Sequence, residues 1–189
     1  MTNTFSDLHL HPQLLSALQT IGYETPTDIQ AQAIPFALDG DDILASAQTG
    51  TGKTAAFGLP ILHLLEASRE KSTDSSEMNE APSKGRKRSR KNGVKALILS
   101  PTRELSQQIE DNLVQYSQNL SYKIVSVVGG LSIKKQINDL KDGADIVVAT
   151  PGRLLDLMNR KAVWLGEVEF FVLDEADRML DMGFVHDVR

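Results

Sequence analysis

The chain has 189 residues, of which 41% are hydrophobic, 24% are charged and none is cysteine, and its formal net charge is −5. These values fit one ordinary globular domain with a full core, and they exclude a disulfide framework, a thiolate metal site and a surface that attracts nucleic acid everywhere. No apolar run has the length of a membrane span, and the polar N-terminus lacks the pattern of a signal peptide, so we expect a cytoplasmic protein with no membrane partner.

Short aliphatic runs alternate along the chain with longer segments of helical period. This alternation predicts an α/β fold of βαβ units, with a mostly parallel sheet and helices on both faces. In chain order, the expected helices lie at residues 12–21, 29–38, 53–65, 104–120, 133–141 and 153–159. The expected strands lie at residues 42–45, 96–100, 123–128, 145–149 and 169–173. Their largely continuous apolar character is typical of strands that are covered on both faces.

Residues 68–93 interrupt this alternation. They are rich in Ser, Glu, Lys and Arg and nearly empty of large apolar side chains, so we expect a mobile surface insert. Residues 84–95 carry several basic side chains and no acidic one. Such a run is by default a solvated surface, and electrostatic attraction of nucleic acid is the alternative.

The sequence AQTGTGKT at residues 47–54 directly follows the first expected strand and opens the third expected helix. This is the pattern of a phosphate-binding loop, in which glycines let backbone N–H groups point inward and the helix adds its positive N-terminus. Lys53 would contact the β- and γ-phosphates of a nucleotide, and Thr54 would offer its hydroxyl to Mg²⁺. Ala47 departs from the general pattern, which begins with Gly. The alternative is a Gly-rich turn that binds nothing.

An acidic motif, Asp-Glu-Ala-Asp at residues 174–177, follows the last expected strand. Ligands of open α/β sheets bind at the carboxyl ends of strands. Asp174 would hold Mg²⁺ through water, and Glu175 would orient or deprotonate an attacking water. Taken alone, such a cluster is more often a solvated turn, but the phosphate loop favours the catalytic interpretation. The catalytic candidates are therefore Lys53, Asp174 and Glu175.

These two motifs together resemble those of the DEAD-box ATP-dependent RNA helicases, and the run DEADRMLDMGF at residues 174–184 is similar to the bacterial RhlE-type subgroup. The sequence GYETPTDIQ at residues 22–30 resembles the family's Q motif. The resemblance implies that Gln30 reads the adenine edge of ATP and that Phe5 stacks on the base. The alternatives are a solvated helix residue and a loose apolar anchor. The implied nucleotide-binding residues are Phe5, Tyr23, Gln30, Ala47, Gln48, Thr49, Gly50, Thr51, Gly52, Lys53 and Thr54.

Three further segments resemble the family's RNA-contact motifs, and each follows an expected strand. Loops and helix N-termini at strand ends can present N–H groups, hydroxyls and Arg side chains to phosphates without reading bases, which implies weak sequence preference. Alternatively, Pro101 and Pro151 simply start helices with a threonine cap nearby. Ser106 replaces the Ala that is more usual after PTREL. The implied RNA contacts are Pro101, Thr102, Arg103, Gly129, Gly130, Thr150, Pro151, Gly152 and Arg153.

The resemblance implies a RecA-like P-loop domain at residues 31–189, preceded by an N-terminal segment with the Q motif at residues 1–30. The family's second RecA-like domain, which supplies arginine fingers, is absent from this sequence, as is the Ser-Ala-Thr motif, whose strand would lie between the first and last expected strands. We therefore expect a truncated domain that binds ATP but turns it over slowly, because arginine fingers contribute on the order of 10³ to 10⁵ in rate. The alternatives are a nucleotide- or RNA-binding module without turnover and a related DNA helicase.

Overall fold

The computed structural model describes residues 4–48, 50–74 and 93–184. The chain divides into two compact units. The first unit comprises residues 1–89 and 115–121, and the second comprises residues 90–114 and 122–189.

The first unit is helical in its described part. It contains the 3₁₀ helix η1 (Phe5–Leu8) and the helices α1 (Pro12–Thr20), α2 (Asp28–Asp39) and α3 (Lys53–Asp74). Helix α1 begins with a proline, whose missing N–H would have no helical partner at that position. Helix α2 begins with a capping box, in which the Gln30 side chain accepts from the Thr27 N–H at 2.9 Å. Helix α3 packs against α1 and α2 and buries Leu59 and Leu62 completely.

The strand expected at residues 42–45 does not form. These residues have no regular secondary structure, Ile43 is 44% exposed, and Leu44 is fully exposed. A β-strand is stable only when its N–H and C=O groups bond to a neighbouring strand. Within the described residues this segment pairs with no strand, so its aliphatic composition alone predicted it wrongly.

Helix α3 also corrects the boundary of the insert expected at residues 68–93. It continues to Asp74, so the first residues of that segment are helical rather than irregular. Glu, Arg and Lys are good helix formers, and the Arg69 guanidinium lies 3.9 Å from the Glu66 carboxylate one turn earlier. Residues 75–92, which carry most of the basic run, lie outside the described residues.

The second unit is built on a parallel four-stranded sheet in the order β2-β3-β1-β4. Its strands are β1 (Ala96–Leu99), β2 (Ile124–Val127), β3 (Ile146–Ala149) and β4 (Phe170–Leu173). The helices α4 (Arg103–Tyr116), α5 (Ile133–Lys141), α6 (Pro151–Asn159) and α7 (Ala176–Asp181) alternate with them, and the last two residues of α4 count with the first unit. The expected α/β fold with a parallel sheet is thus confirmed. Helices η1 and α7 were not expected, and α4 ends before residue 120.

The two inner strands of the sheet are buried along their whole length, whereas β4 is not. Strand β1 has β3 and β4 as neighbours, with Leu97 beside Val147 and Phe171. Strand β4 pairs only with β1, and its Phe171 and Leu173 remain 52% and 38% exposed. The core of the unit is aliphatic, and α5, α6 and α7 all contribute side chains to it. Because the strands are parallel, their carboxyl ends lie at one edge of the sheet.

No helix among the described residues is both long enough and apolar enough to cross a lipid bilayer.

Candidate functional site

The predicted phosphate loop at residues 47–54 leads directly into α3, whose first residue is Lys53. The loop closes around its own lysine: the Lys53 ammonium donates to the Ala47 carbonyl at 2.6 Å and lies 3.4 Å from the Gln48 carbonyl oxygen. These acceptors are uncharged, so an anionic oxygen would be the stronger partner for this group. Thr49 is the only residue of the loop that lies outside the described part of the chain.

Helix α2 holds the phosphate loop through two polar side chains. Gln30 is only 2% exposed, and its Nε2 group donates to the Gly52 carbonyl at 3.1 Å. The Thr27 hydroxyl donates to the Thr51 carbonyl at 2.8 Å. Gly52 has a φ of +88°, and a Cβ atom there would clash with the Gln30 amide. Glycine is therefore required both for the backbone conformation and for the close approach of α2.

Sequence reasoning did not single out Thr27. The available signal was its position three residues before Gln30, which is the spacing of a capping box.

A cleft of about 430 Å³ lies between the start of α2 and the phosphate loop. Its volume falls within the usual range of small-ligand pockets. It is lined by Thr27, Asp28, Ile29, Gln32, Ser46, Ala47, Gln48 and Thr51. Hydroxyl, amide and backbone groups of the Q motif and of the phosphate loop thus face the same space.

The aromatic residues of the predicted adenine site form a cluster in the first unit. Phe5 is 4% exposed, and its ring centroid lies 6.1 Å from that of Tyr23. Tyr23 in turn packs edge-on against Tyr116, with centroids 5.9 Å apart. Burial, followed by the nearby Tyr23 hydroxyl, raises the pKa of Tyr116. Tyr23 is 37% exposed, so its ring is more open to a ligand than that of Phe5, and stacking of Phe5 on a base stays a prediction.

In the second unit, a predicted motif follows the carboxyl end of each strand. Three of these segments are fixed at their first residue, or at the residue just before it, by a bond to the neighbouring strand. The Ser100 N–H donates to the Ala149 carbonyl at 3.0 Å, and the Thr150 N–H donates to the Val127 carbonyl at 3.0 Å. The Asp174 N–H donates to the Leu99 carbonyl at 2.9 Å. The sheet therefore determines where the motif loops begin.

The three predicted RNA-contact motifs line one cleft of about 450 Å³. Its lining residues are Pro101, Arg103, Glu104, Gly129, Thr150, Gly152, Arg153 and Phe184. The Arg103 guanidinium is half exposed and lies 3.2 Å from the Glu104 carboxylate. Pro151 begins α6, and the Thr102 hydroxyl accepts from the Leu105 N–H at 3.3 Å, so these two residues have the helix-start roles of the alternative interpretation. Gly130, at a φ of +77°, does not line the cleft.

The acidic motif begins with a largely buried carboxylate, because Asp174 is 7% exposed. The next residue, Glu175, has a φ of +52° and accepts from the Arg178 guanidinium at 3.2 Å. A positive φ at a non-glycine residue costs on the order of 1–3 kcal/mol and occurs preferentially at functional sites. Among the described residues, no group of three or more His, Asp or Glu side chains comes together in a way that could hold a metal ion.

Buried polar side chains lie beneath the loops of the second unit. The Ser100 and Ser106 hydroxyls are fully buried and lie 2.7 Å apart, and Ser106 also donates to the Thr102 carbonyl at 3.0 Å. Gln136, which sequence reasoning missed, is 4% exposed. The signal that could have found it is its place on the apolar face of α5, beside Ile133 and Ile137, where a polar residue needs a buried partner.

Comparison with known proteins agrees with this geometry. The model of the family described as DEAD/DEAH box helicase matches residues 27–189. The chain belongs to this family. The match includes residues 27–30 at the end of the Q motif, the phosphate loop, the cleft-lining motifs and the acidic motif.

Relatives and solved structures of the family are similar over nearly the whole chain. The DEAD-box ATP-dependent RNA helicase CshA of Streptococcus pneumoniae is 45% identical over 97% of this chain and 31% of its own length. The RNA helicase CrhR of Synechocystis is 43% identical over 100% of this chain and 34% of its own. The crystal structure of a DEAD box protein from Methanococcus jannaschii superposes with a TM-score of 0.81 at 41% identity, covering 98% of this chain and 45% of that one. The chain thus spans about a third of the length of these curated relatives. The narrower likeness to the RhlE-type subgroup stays a prediction.

Proposed function

We propose that this chain is the nucleotide-binding core of an ATP-dependent RNA helicase, and that the whole protein couples RNA-dependent ATP hydrolysis to local separation of RNA duplexes. The observation that carries the proposal is the bonding between the Q motif and the phosphate loop, in which Gln30 and Thr27 hold the carbonyls of Gly52 and Thr51. These bonds hold Gln30, whose amide suits an adenine edge, next to the loop that carries Lys53, whose ammonium suits phosphate. The names of the relatives support this activity.

Nucleotide binding would give Lys53 new hydrogen-bond partners. The Lys53 ammonium would leave the Ala47 and Gln48 carbonyls for the β- and γ-phosphates, and the N-terminus of α3 would add its positive potential. The Gln30 amide retains one N–H and one lone pair beyond its bonds to Gly52 and Thr27, which is what pairing with an adenine edge requires. Tyr23 would offer its partly exposed ring to the base.

A magnesium ion bound with the nucleotide would neutralise charge on the β- and γ-phosphates. In the first unit, the Thr54 hydroxyl in the first turn of α3 would offer this ion an oxygen ligand. In the second unit, the Asp174 carboxylate at the end of β4 is a group of the same chemistry. Oxygen ligands of this kind, completed by water, suit magnesium. Glu175 would orient the attacking water with the carboxylate oxygen that does not accept from Arg178.

The cleft of the second unit would bind the sugar-phosphate backbone of RNA. Arg103 and Arg153 supply positive charge there, while Gly129 and Gly152 let the strand approach the backbone closely. None of these groups is suited to distinguish one base from another, so the proposal includes weak sequence preference. The second RecA-like domain of the whole protein is the partner that would complete the hydrolytic site with its arginine fingers.

Calorimetric titration with ATP, ADP and GTP in the presence of Mg²⁺ tests the nucleotide site. We expect ATP and ADP to bind, GTP to bind more weakly, Lys53→Ala to lose binding, and Gln30→Ala to lose both affinity and adenine preference. The matched control is Gln19→Ala on α1, an exposed glutamine that should leave binding unchanged. If the folded wild-type chain binds GTP as well as ATP, or binds no nucleotide, the proposal is wrong for this chain.

A further inference from the structure

Gln136 on α5 is a buried amide directly beneath the Gly129-Gly130 loop. Its Nε2 group donates to the Val128 carbonyl at 2.9 Å, the last carbonyl before the glycine pair. Its Oε1 atom accepts from the Arg153 guanidinium at 3.1 Å. Both ends of the amide are therefore used, as expected for a polar side chain that is 4% exposed.

Arg153 on α6 closes the same network from the other side of the loop. Its Nη1 group also donates to the Leu131 carbonyl at 3.1 Å, the first carbonyl after the glycine pair. The Val128 and Leu131 carbonyls are thus tied to each other through Gln136 and Arg153. Gly129 and Gly130, the two residues between these carbonyls, are therefore held in a fixed loop. Both glycines are exposed to solvent.

The bonding also determines which part of the Arg153 guanidinium can bind a ligand. Both Nη1 hydrogens are used, one by the Leu131 carbonyl and one by Gln136. The three remaining N–H groups, one on Nε and two on Nη2, have no acceptor among the residues that the structure describes. Nε and Nη2 form one edge of the planar group, and such an edge binds two oxygens of a phosphate side by side. Arg153 lines the cleft of the second unit.

We propose that Gln136 is a positioning residue for RNA binding, because it fixes the Gly129-Gly130 loop and orients the Nε/Nη2 edge of Arg153 toward a backbone phosphate. This inference rests on the proposed function, since it requires the cleft to bind RNA. Gln136 itself would touch no RNA. Its contribution lies in keeping a long, otherwise mobile side chain in one binding orientation, which removes an entropic cost from association.

Fluorescence anisotropy titrations of a single-stranded oligouridylate, repeated at several salt concentrations, test the inference. Gln136→Met retains the length of the side chain but removes both hydrogen bonds. We expect it to weaken binding about tenfold and to reduce the salt slope by about 1, as the loss of one phosphate contact does. Gln136→Glu retains an acceptor for Arg153 but loses the donor to the Val128 carbonyl and adds a negative charge beside the proposed phosphate site, so it should also weaken binding. The matched control is Asn138→Ala, an exposed amide on the same helix that should change neither quantity.

A double-mutant cycle with Arg153→Ala separates positioning from a merely structural role. If Gln136 acts through Arg153, the double variant Gln136→Met/Arg153→Ala should bind no more weakly than Arg153→Ala alone. Additive losses, or normal binding by Gln136→Met, would overturn the inference. Urea denaturation of each variant shows whether the second unit, which contains both residues, still folds. If wild type and Arg153→Ala bind RNA equally, or wild type does not bind RNA, the proposed RNA cleft fails as well. If Arg153→Ala weakens binding and Gln136→Met does not, only this inference fails.

Discussion

The two units hold their functional loops by different means. In the first unit, the phosphate loop has no strand beside it among the described residues, and Thr27 and Gln30 fix it by side-chain bonds to its backbone. In the second unit, three of the four loops continue the hydrogen bonds of a parallel sheet. There the buried Ser106 adds one bond to the Thr102 carbonyl, and Gln136 fixes the fourth loop, at Gly129-Gly130. A loop held by single side chains should be more sensitive to one substitution than a loop held by a sheet. The following predictions test that difference.

The largest effect should come from Gly52→Ala in the phosphate loop. A Cβ at this position, with a φ of +88°, is strained and also displaces the Gln30 amide from the Gly52 carbonyl. We expect ATP binding to weaken about a hundredfold, which corresponds to about 2.8 kcal/mol. Calorimetric titration measures this directly.

Gly40→Ala is the matched control for Gly52→Ala. Gly40, at the end of α2, has a similar φ of +87°, but nothing lies within 4 Å of its added Cβ. It should therefore destabilise the chain without changing ATP affinity in the folded state. Equal losses of ATP affinity in the two variants would show that backbone strain, and not the contact with Gln30, is responsible.

A smaller effect is expected at the RNA cleft from Arg103→Ala. Arg103 is half exposed and contributes one cation to a cleft that also contains Arg153. We expect RNA affinity to fall about tenfold and the salt slope to fall by about 1, with unchanged ATP binding. Arg160→Ala is the control, because Arg160 pairs with Asp156 on α6 and does not line the cleft. An equal loss of RNA binding in both variants would point to general charge and not to this cleft.

Ser106→Ala should change stability and leave the loops in place. The substitution removes the bond to the Thr102 carbonyl and leaves the buried Ser100 hydroxyl with a weaker partner at 3.4 Å. We expect the free energy of unfolding to fall by about 1 kcal/mol, as measured by urea denaturation. The variant Ser100→Ala/Ser106→Ala should lose less than the sum of the single changes, because it leaves no unpaired hydroxyl. RNA affinity reduced tenfold by Ser106→Ala would contradict the view that the sheet holds this loop.

The smallest expected effect is a dependence of stability on pH that arises from His63 in the first unit. Burial, with a further contribution from His11, lowers the pKa of His63 below its ordinary value of 6.5, while Glu70 acts in the opposite direction. The unfolded chain therefore takes up a proton at this residue more readily than the folded chain does. The contribution of neutral His63 to the free energy of unfolding is present above the ordinary pKa of 6.5 and is lost as the pH falls below it. His63 Nδ1 also accepts from the His11 N–H at 3.0 Å, which protonation would prevent.

Urea denaturation between about pH 7.5 and about pH 5.5 measures this contribution. The variant His63→Asn keeps an acceptor but does not titrate, so its stability should fall less on acidification than that of wild type. The exposed His9 offers a matched control, because His9→Asn should leave the acid loss of wild type in place. If His63→Asn loses as much stability on acidification as wild type does, then other groups cause the effect.

The sequence predicted the sheet of the second unit well because its strands carry continuous aliphatic runs that need burial on both sides. Residues 42–45 carry a similar run, yet strand formation depends on a neighbour, which composition cannot supply. Residues 68–74 were expected to be irregular because they lack apolar side chains, but helix propensity and α3 itself suffice to continue the helix there.

The sequence predicted the motifs of the candidate site, but it did not predict most of the side chains that hold those motifs in place. Short motifs with defined spacing identified the phosphate loop and the three cleft segments, all of which the structure places at loops or helix starts. The supporting contacts of Gln136 and Thr27 join residues that are distant in sequence or bond backbone carbonyls, so no local pattern specifies them. The available indications were a polar residue within an apolar helical stripe for Gln136 and the capping-box spacing for Thr27.

Hydrogen–deuterium exchange of the chain, with Mg²⁺ and ATP in one experiment and with a single-stranded RNA in another, tests most directly the claim that the two units bind different ligands. ATP should slow exchange at the start of α2 and in the phosphate loop at residues 47–54. RNA should slow exchange in the Gly129-Gly130 loop and at the start of α6. Protection of the phosphate loop by RNA alone, or no protection of that loop by ATP, would contradict the account.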